Sequence, residues 1–266
     1  MEYIKMNNIV LYDIPKSIIR KSDEYVNSRI VPYKIHQTFK TTKVPINMYN
    51  AVRSWIDKNI NYNYYFYDDN DIDEIIKEYD CEGMDINREQ LLYAYNKMNT
   101  GAGKADIFRY LILYKEGGCY FDIDTKCVNK LDGFIEEDDE LVSGIGREGD
   151  LHQWGMIYKR KHAFVKRALE LSVYNIIHKR FINTRSLVGL TGPVCLDTAI
   201  KMVGNIPQRS VFKSGKYKVN GYVFHILKGD YFGNNVIFKY AGYERDLELL
   251  RMTHWGKGGI KGIFKS

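Results

Sequence analysis

Apolar residues along this chain alternate between helical and strand spacing, and the sharpest change of period falls between Lys104 and Lys126. Ile107, Tyr110, Leu111 and Tyr114 stand at i, i+3, i+4 and i+7, which predicts a helix laying one apolar stripe on a core. Gly101-Ala102-Gly103-Lys104 reads as a turn before that helix, and Asp106 stands where an acid favours a helix N-terminus. Gly117-Gly118 ends the helix, and Cys119-Tyr120-Phe121 is a short strand running straight into Asp122-Ile123-Asp124.

The flanking segments keep the same rhythm. Ile30 to Phe39 reads as a first strand, with Pro32 near its start and polar His36, Gln37 and Thr38 at its C-terminal end. Pro45 opens a helix through Met48, Val52, Trp55 and Ile56; Tyr64 to Tyr67 is a second strand; Ile72, Ile75, Ile76 and Tyr79 mark another helix. Arg88 to Met98 is helical. Beyond the aspartates, Val128 to Leu131 returns to the sheet and Glu136 to Glu140 forms a solvated acidic loop. Strands follow at 141–145 and 154–158, then a helix through Phe164, Val165, Ala168, Leu169 and Leu171. Thr191-Gly192-Pro193 turns into a helix ending near Val203, with strands near 222–226 and 236–240. Strand, helix, strand, helix predicts an α/β fold. Residues 1–30 read as an extension or short helices packed on the outside, and 31–266 as a single domain without repeats or linkers.

Along a strand, Asp122 and Asp124 share one face and Ile123 points the other way into apolar packing. Two adjacent carboxylates are costly to keep ionised together, and a divalent cation relieves that cost. Hard oxygen ligands suit manganese or magnesium, which commonly hold substrate phosphates as well. The spacing alone is weak evidence. Asp71 and Asp73 show it too, but they lie among Asp68, Asp69 and Glu74 at a helix start, where acids are favoured by capping. It is the helix, the Gly-Gly and the aromatic strand that give the second pair its weight. Gly101 to Lys104 fails as a phosphate-binding P-loop, because Ala105 follows the lysine and no strand precedes it.

Composition narrows the classes. The chain has 266 residues, 45% hydrophobic and 27% charged, which is ample for one large core. The net charge of +6 suits an anionic substrate such as a nucleotide. The basic residues are dispersed, which argues against a nucleic-acid module. Cys81, Cys119, Cys127 and Cys195 form no disulfide or zinc pattern and read as reduced thiols. No signal-peptide run and no stretch near the ~20 apolar residues of a membrane span is visible, so the chain as given reads as soluble and cytoplasmic.

Taken together, these residues resemble glycosyltransferase family 32, the sugar transferases with an Asp-x-Asp motif, and more distantly the glucosyltransferase domains of large clostridial toxins. The family opens with Ile-Pro-x-x-Ile-His-Gln-Thr-Trp, matched by Val31 to Phe39 with Phe39 in the Trp place. Its central signature, Ser-Asp-x-x-Arg-Tyr, a helix, then Gly-Gly-x-Tyr-x-Asp-x-Asp, is matched from Ala105-Asp106 to Asp124, with Ala105 replacing Ser. A later Asn followed by Lys-x-x-His-Pro-Phe corresponds to Gln153, Lys159, His162, Ala163 and Phe164, and Thr191-Gly192-Pro193 also fits. The similarity runs from about residue 31 to 257 and is tightest in the middle.

That resemblance implies a GT-A type nucleotide-diphospho-sugar transferase fold, with a mixed, mostly parallel sheet flanked by helices. It implies transfer of a hexose from a nucleotide sugar, with UDP favoured over GDP, to an acceptor hydroxyl, with retention of configuration. Asp124 would bind manganese or magnesium directly, and Asp122 would touch the donor sugar or ribose, or reach the metal through water. Asp106 and Arg109 would contact the donor sugar and hold the loop; three apart on one helix face, they can also simply pair with each other. His36, Gln37, Thr38 and Phe39 would line the donor site. His254 would be the third metal ligand, and Lys257 or Lys261 would meet the diphosphate. Gln153 and Trp154 would lie on the acceptor side, while His162 and His225 read as structural. A metal-dependent phosphohydrolase or nucleotide-sugar hydrolase, or an inactive sugar-nucleotide-binding relative, remains as an alternative.

Overall fold

The protein is described by a computed structural model that covers residues 3–6, 9–146, 149–184, 186–229, 234–252 and 262–265. In chain order the strands are β1 Tyr3–Met6, β2 Ile9–Asp13, β3 Ser17–Ile18, β4 Lys34–Thr38, β5 Lys43–Val44, β6 Asn63–Tyr67, β7 Gly118–Phe121, β8 Thr125–Cys127, β9 Leu141–Gly144, β10 Gly155–Tyr158, β11 Gly215–Val219, β12 Tyr222–Leu227 and β13 Val236–Phe238. The helices are α1 Asp23–Val26, α2 Ile46–Lys58, α3 Asp69–Glu78, α4 Arg88–Lys97, α5 Gly101–Glu116, α6 Ala163–Ile177, α7 Leu187–Leu190, α8 Pro193–Val203 and α9 Tyr243–Leu249.

Eight strands build one mixed sheet in the order β11-β12-β9-β10-β7-β4-β6-β3. Parallel pairing joins β4 to β6 and β7, and β12 to β9; the other pairings in this sheet are antiparallel. Period-two alternation sorts the strand residues onto two cores. Cys119 and Phe121 of β7, Ile35 of β4 and Ile157 of β10 face a core completed by Met48, Val52, Trp55 and Ile56 of α2. Tyr120, Met156 and Tyr158 face the opposite core, made with α3 to α8. The sheet is therefore covered by helices on both faces, the α/β sandwich that the sequence predicts. Among the described residues, no helix is long and apolar enough to cross a membrane.

Several local expectations are corrected. Residues 9–29 are not merely an outer extension: β3 pairs with β6 at the sheet edge, β2 pairs with β5, and Val26 is fully buried. Gly101 to Lys104 is not a turn but the first turn of α5, whose N-cap Thr100 accepts from the Gly103 N–H. Asp106 thus lies beyond the helix N-terminus, where the orphan N–H groups have ended. Residues 128–131 do not return to the main sheet. Instead, β8 pairs with β13 as a separate two-stranded ribbon. The acidic loop is only partly solvated, because Asp139 is buried against His225 and Lys216.

The Gly-Gly pair has a backbone reason. Gly117 caps α5 at φ +65°, and a Cβ there would meet the Arg160 nitrogen at 2.6 Å. At Gly118, φ +94°, a Cβ would come within 2.7 Å of the Lys34 carbonyl oxygen. These glycines let β7 lie beside β4, which fixes where the aspartates emerge.

Candidate active site

β7 ends at Phe121, so Asp122, Ile123 and Asp124 form a turn beyond the strand rather than its continuation. The Thr125 N–H (3.0 Å) and Thr125 Oγ1 (2.6 Å) both donate to the Asp122 carbonyl and close the turn. Neighbouring segments hold it on several sides. The Asp122 N–H donates to the Trp154 carbonyl at 2.8 Å, and the Tyr240 N–H to the Asp124 carbonyl at 3.0 Å. The Gln37 amide reaches the carbonyls of Phe121 (3.5 Å) and Asp122 (3.4 Å), and its Oε1 accepts from the Tyr64 hydroxyl. Beneath, Trp55 stacks on Phe121 at 3.9 Å and donates to the Thr125 carbonyl, while Ile123 is buried as its spacing predicts.

Arg109 is the electrostatic centre. Buried on α5, its Nη2 stands 2.9 Å from Asp122 Oδ1 and 3.3 Å from Asp106 Oδ1, and its Nη1 donates to the Gln153 carbonyl at 2.8 Å. The intrahelical pair of Asp106 and Arg109 therefore exists, but it continues to the Asp-x-Asp turn. Asp106 also accepts from Thr191 Oγ1 at 2.7 Å. Burial raises the Asp106 carboxyl to about 6, against the lowering pull of Arg109 and Thr191. Burial, and then the charge of Asp122, push Asp124 up to about 7. Asp124 Oδ1 is buried without a hydrogen-bond partner among the described residues.

Asp106 and Asp122 share one buried guanidinium, and beside them Asp124 carries a buried oxygen with no hydrogen-bond partner among the described residues. Both features fit a divalent cation with oxygen ligands. Another acidic group among the described residues, Glu136, Asp138 and Asp139, does not share this need. The Lys216 ammonium stands 2.8, 2.5 and 3.1 Å from the three carboxylates in turn.

The remaining predicted residues divide. His36 is buried between its contacts to the Tyr67 hydroxyl (3.1 Å) and the Gly117 carbonyl (3.0 Å), and burial lowers it to about 4. Thr38 Oγ1 donates to the Tyr67 carbonyl, and Phe39 is half-buried next to it. Of the four residues 36–39, only Gln37 is brought to the aspartate turn by its side chain. The Gln153 amide turns inward to the Tyr110 hydroxyl (2.5 Å) and the Thr191 carbonyl (3.1 Å). Trp154 stacks on Phe238 at 4.9 Å. His162 caps α6 and His225 pairs with Asp139. His254, Lys257 and Lys261 lie outside the described residues.

Sequence reasoning missed four neighbours of the site. Thr191 appeared only as part of a turn, and its hydroxyl role depends on a long-range contact. Lys239, with left-handed backbone at φ +56°, carries a charge that pulls the Asp124 carboxyl down. Tyr243 on α9 has its hydroxyl raised by burial and by the charges of Asp124 and Asp122. Phe238 reaches the turn through the pairing of β13 with β8. No local pattern at 236–243 signals that this segment folds back on residues 122–125.

Comparison with known proteins agrees with the motif. Residues 45–141 match the family model described as "Glycosyltransferase sugar-binding region containing DXD motif". The chain is 31% identical to an initiation-specific alpha-1,6-mannosyltransferase of Candida albicans over 53% of its own length and 38% of that protein. It is 32% identical to inositol phosphoceramide mannosyltransferase 3 of Schizosaccharomyces pombe, over 45% of the chain and 33% of that protein. A mannosyl phosphorylinositol ceramide synthase of Saccharomyces cerevisiae is 28% identical over 76% of the chain and 51% of its own length. The chain thus spans from a third to about half of these curated relatives. The solved PaToxG glycosyltransferase superposes with a TM-score of 0.49 at 18% identity, over 68% of this chain and 73% of that one. The Gly-Gly, the aromatic strand and the paired aspartates all lie inside the matched region, so it is this part of the chain that is similar to the DXD sugar-binding region of glycosyltransferases.

Proposed function

We propose that the chain is a metal-dependent hexosyltransferase that moves a hexose from a nucleotide sugar to an acceptor hydroxyl on a glycan or other acceptor. The observation that carries this reading is the buried Oδ1 of Asp124, without a partner among the described residues, beside an Asp122 that Arg109 holds in place. Asp122 and Asp124 would hold manganese or magnesium, with His254 as a third ligand. Bound there, the cation would neutralise the diphosphate that leaves, where negative charge develops.

The chain's own residues supply positioning. Arg109 is fixed by Asp106, Asp122 and the Gln153 carbonyl, so it orients Asp122 rather than moving to substrate. Asp122 keeps about a quarter of its side chain exposed (26%), enough to meet a sugar or ribose hydroxyl. Lys239, and by the family resemblance Lys257, offer cations to the diphosphate. The relatives named as mannosyltransferases make mannose the first sugar to test, and retention of configuration is carried over from the family.

The test is release of nucleoside diphosphate from a panel of UDP- and GDP-sugars, GDP-mannose included, with manganese and mannoside acceptors. The reading expects turnover of one donor, lost on chelation and in Asp124→Asn. Folded protein that turns over no donor, or turnover unaffected by chelation, contradicts it.

A further inference from the structure

Phe238 and the adjacent Ile237 are both left at the surface. Phe238 is 43% exposed, yet it is stacked against half-buried Trp154 with centroids 4.9 Å apart and planes at 16°. Its place follows from two long-range pairings. In the β13–β8 ribbon Phe238 stands opposite Thr125, the residue that closes the Asp-x-Asp turn. Trp154 accepts the Asp122 N–H at the other side of the same turn. The two rings therefore bridge the turn from segments that are distant in sequence. The Lys239 ammonium stands 5.7 Å from the Phe238 centroid and supplies a flexible hydrogen-bond donor at the rim.

The sheet order assigns the two flanks of this turn. On one flank of β7 lie β4 and β6, parallel to it, with their C-terminal ends at Thr38 and Tyr67. Crevices outside the C-terminal ends of parallel strands are where open α/β sheets take nucleotides. On the other flank is antiparallel β10, which Trp154 directly precedes. An aromatic face beside a polar rim binds pyranose rings, whose C–H faces pack on π-systems while their hydroxyls find donors.

We infer that the Trp154–Phe238 stack is the acceptor platform, on which a pyranose of a glycan acceptor lies with a hydroxyl directed toward Asp122 and Asp124. This deepens the transferase reading and rests on it. Phe238 is thereby a specificity residue for the acceptor, not for the donor.

The test measures steady-state kinetics of Phe238→Ala and Phe238→Trp with a mannoside acceptor, together with tryptophan fluorescence titrated by methyl α-mannoside. Phe238→Ala is expected to raise the acceptor KM about tenfold, and Phe238→Trp to restore it. An unchanged acceptor KM overturns the inference. So does a rise in donor KM by the same factor, which would put the ring on the nucleotide side. Were the wild type to turn over no nucleotide sugar, the transferase reading would fail separately. Saturable mannoside quenching that Phe238→Ala abolishes would still support the platform, and absence of quenching in the wild type would overturn it.

Discussion

Two regions of polar side chains flank β7, and they behave in opposite ways. At the end of β4, His36, Gln37 and Thr38 have their polar groups met by Tyr67, Gly117, Tyr64 and the backbone of the turn. At the Asp-x-Asp turn, Asp124 keeps a buried oxygen without a partner among the described residues, and burial together with Asp122 raises its carboxyl to about 7. Both regions look alike in sequence: polar residues at the C-terminal end of an apolar strand. Unmet hydrogen-bonding capacity, rather than polarity, is what separates a binding surface from a scaffold.

The largest effect should come from the unmet group. Asp124→Asn is expected to lower transfer by on the order of 10²–10³-fold, while its metal-free Tm stays at or above that of the wild type; a calorimetric scan beside the rate assay checks both. Next comes the scaffold's charge. Arg109→Met strands Asp106 and Asp122 in a buried setting, at roughly 3–5 kcal/mol, and thermal unfolding should show a Tm lower by roughly 10 °C. A smaller loss belongs to His36→Leu, which leaves the Gly117 carbonyl and the Tyr67 hydroxyl unpaired at about 1–3 kcal/mol. Donor KM measured on the folded fraction should then change less than about twofold. A large donor KM effect would show that the buried His36 side chain itself touches substrate and would break the comparison.

The smallest effects are in pH dependence, and the two regions should give opposite signs. At the β4 end, His36 is lowered by burial to about 4 from 6.5. Its contribution is fully present above pH 6.5 and is lost as pH falls toward 4, because the unfolded chain takes up protons first. Asp124, raised from 3.8 to about 7, contributes fully below 3.8 and loses that contribution as pH rises through about 7. Manganese should restore what ionisation removes, so the Tm gain on adding manganese should be greater at pH 8 than at pH 5. Equal gains would show that the ion binds elsewhere.

Local order made much of the scaffold legible in the sequence. The stripe of Ile107, Tyr110, Leu111 and Tyr114, the Gly117-Gly118 stop and the aromatic strand are contiguous signals, and each element stands where its spacing puts it. The start of α5 was misread because Gly101 and Gly103 are poor helix formers, while Thr100 supplies a cap that overrides them. What stayed hidden depends on distant pairing: Thr125 opposite Phe238, Thr191 on Asp106, and Asp246 receiving Asn47 and Tyr240 to anchor α9. A two-residue polar contact has no period, so the strand near 236–240 is legible in the pattern but its folding back onto residues 122–125 is not.

The most direct measurement is the thermal shift of the wild type and Asp124→Asn with UDP- and GDP-sugars, each with and without manganese. One nucleotide sugar should raise the wild-type Tm only when manganese is present, by an amount that reaches about 2.7 kcal/mol at a hundredfold excess over Kd, and should leave Asp124→Asn unmoved. A metal-independent shift, or an equal shift in the variant, would contradict the claim that the unmet oxygen of Asp124 is where the donor's metal binds.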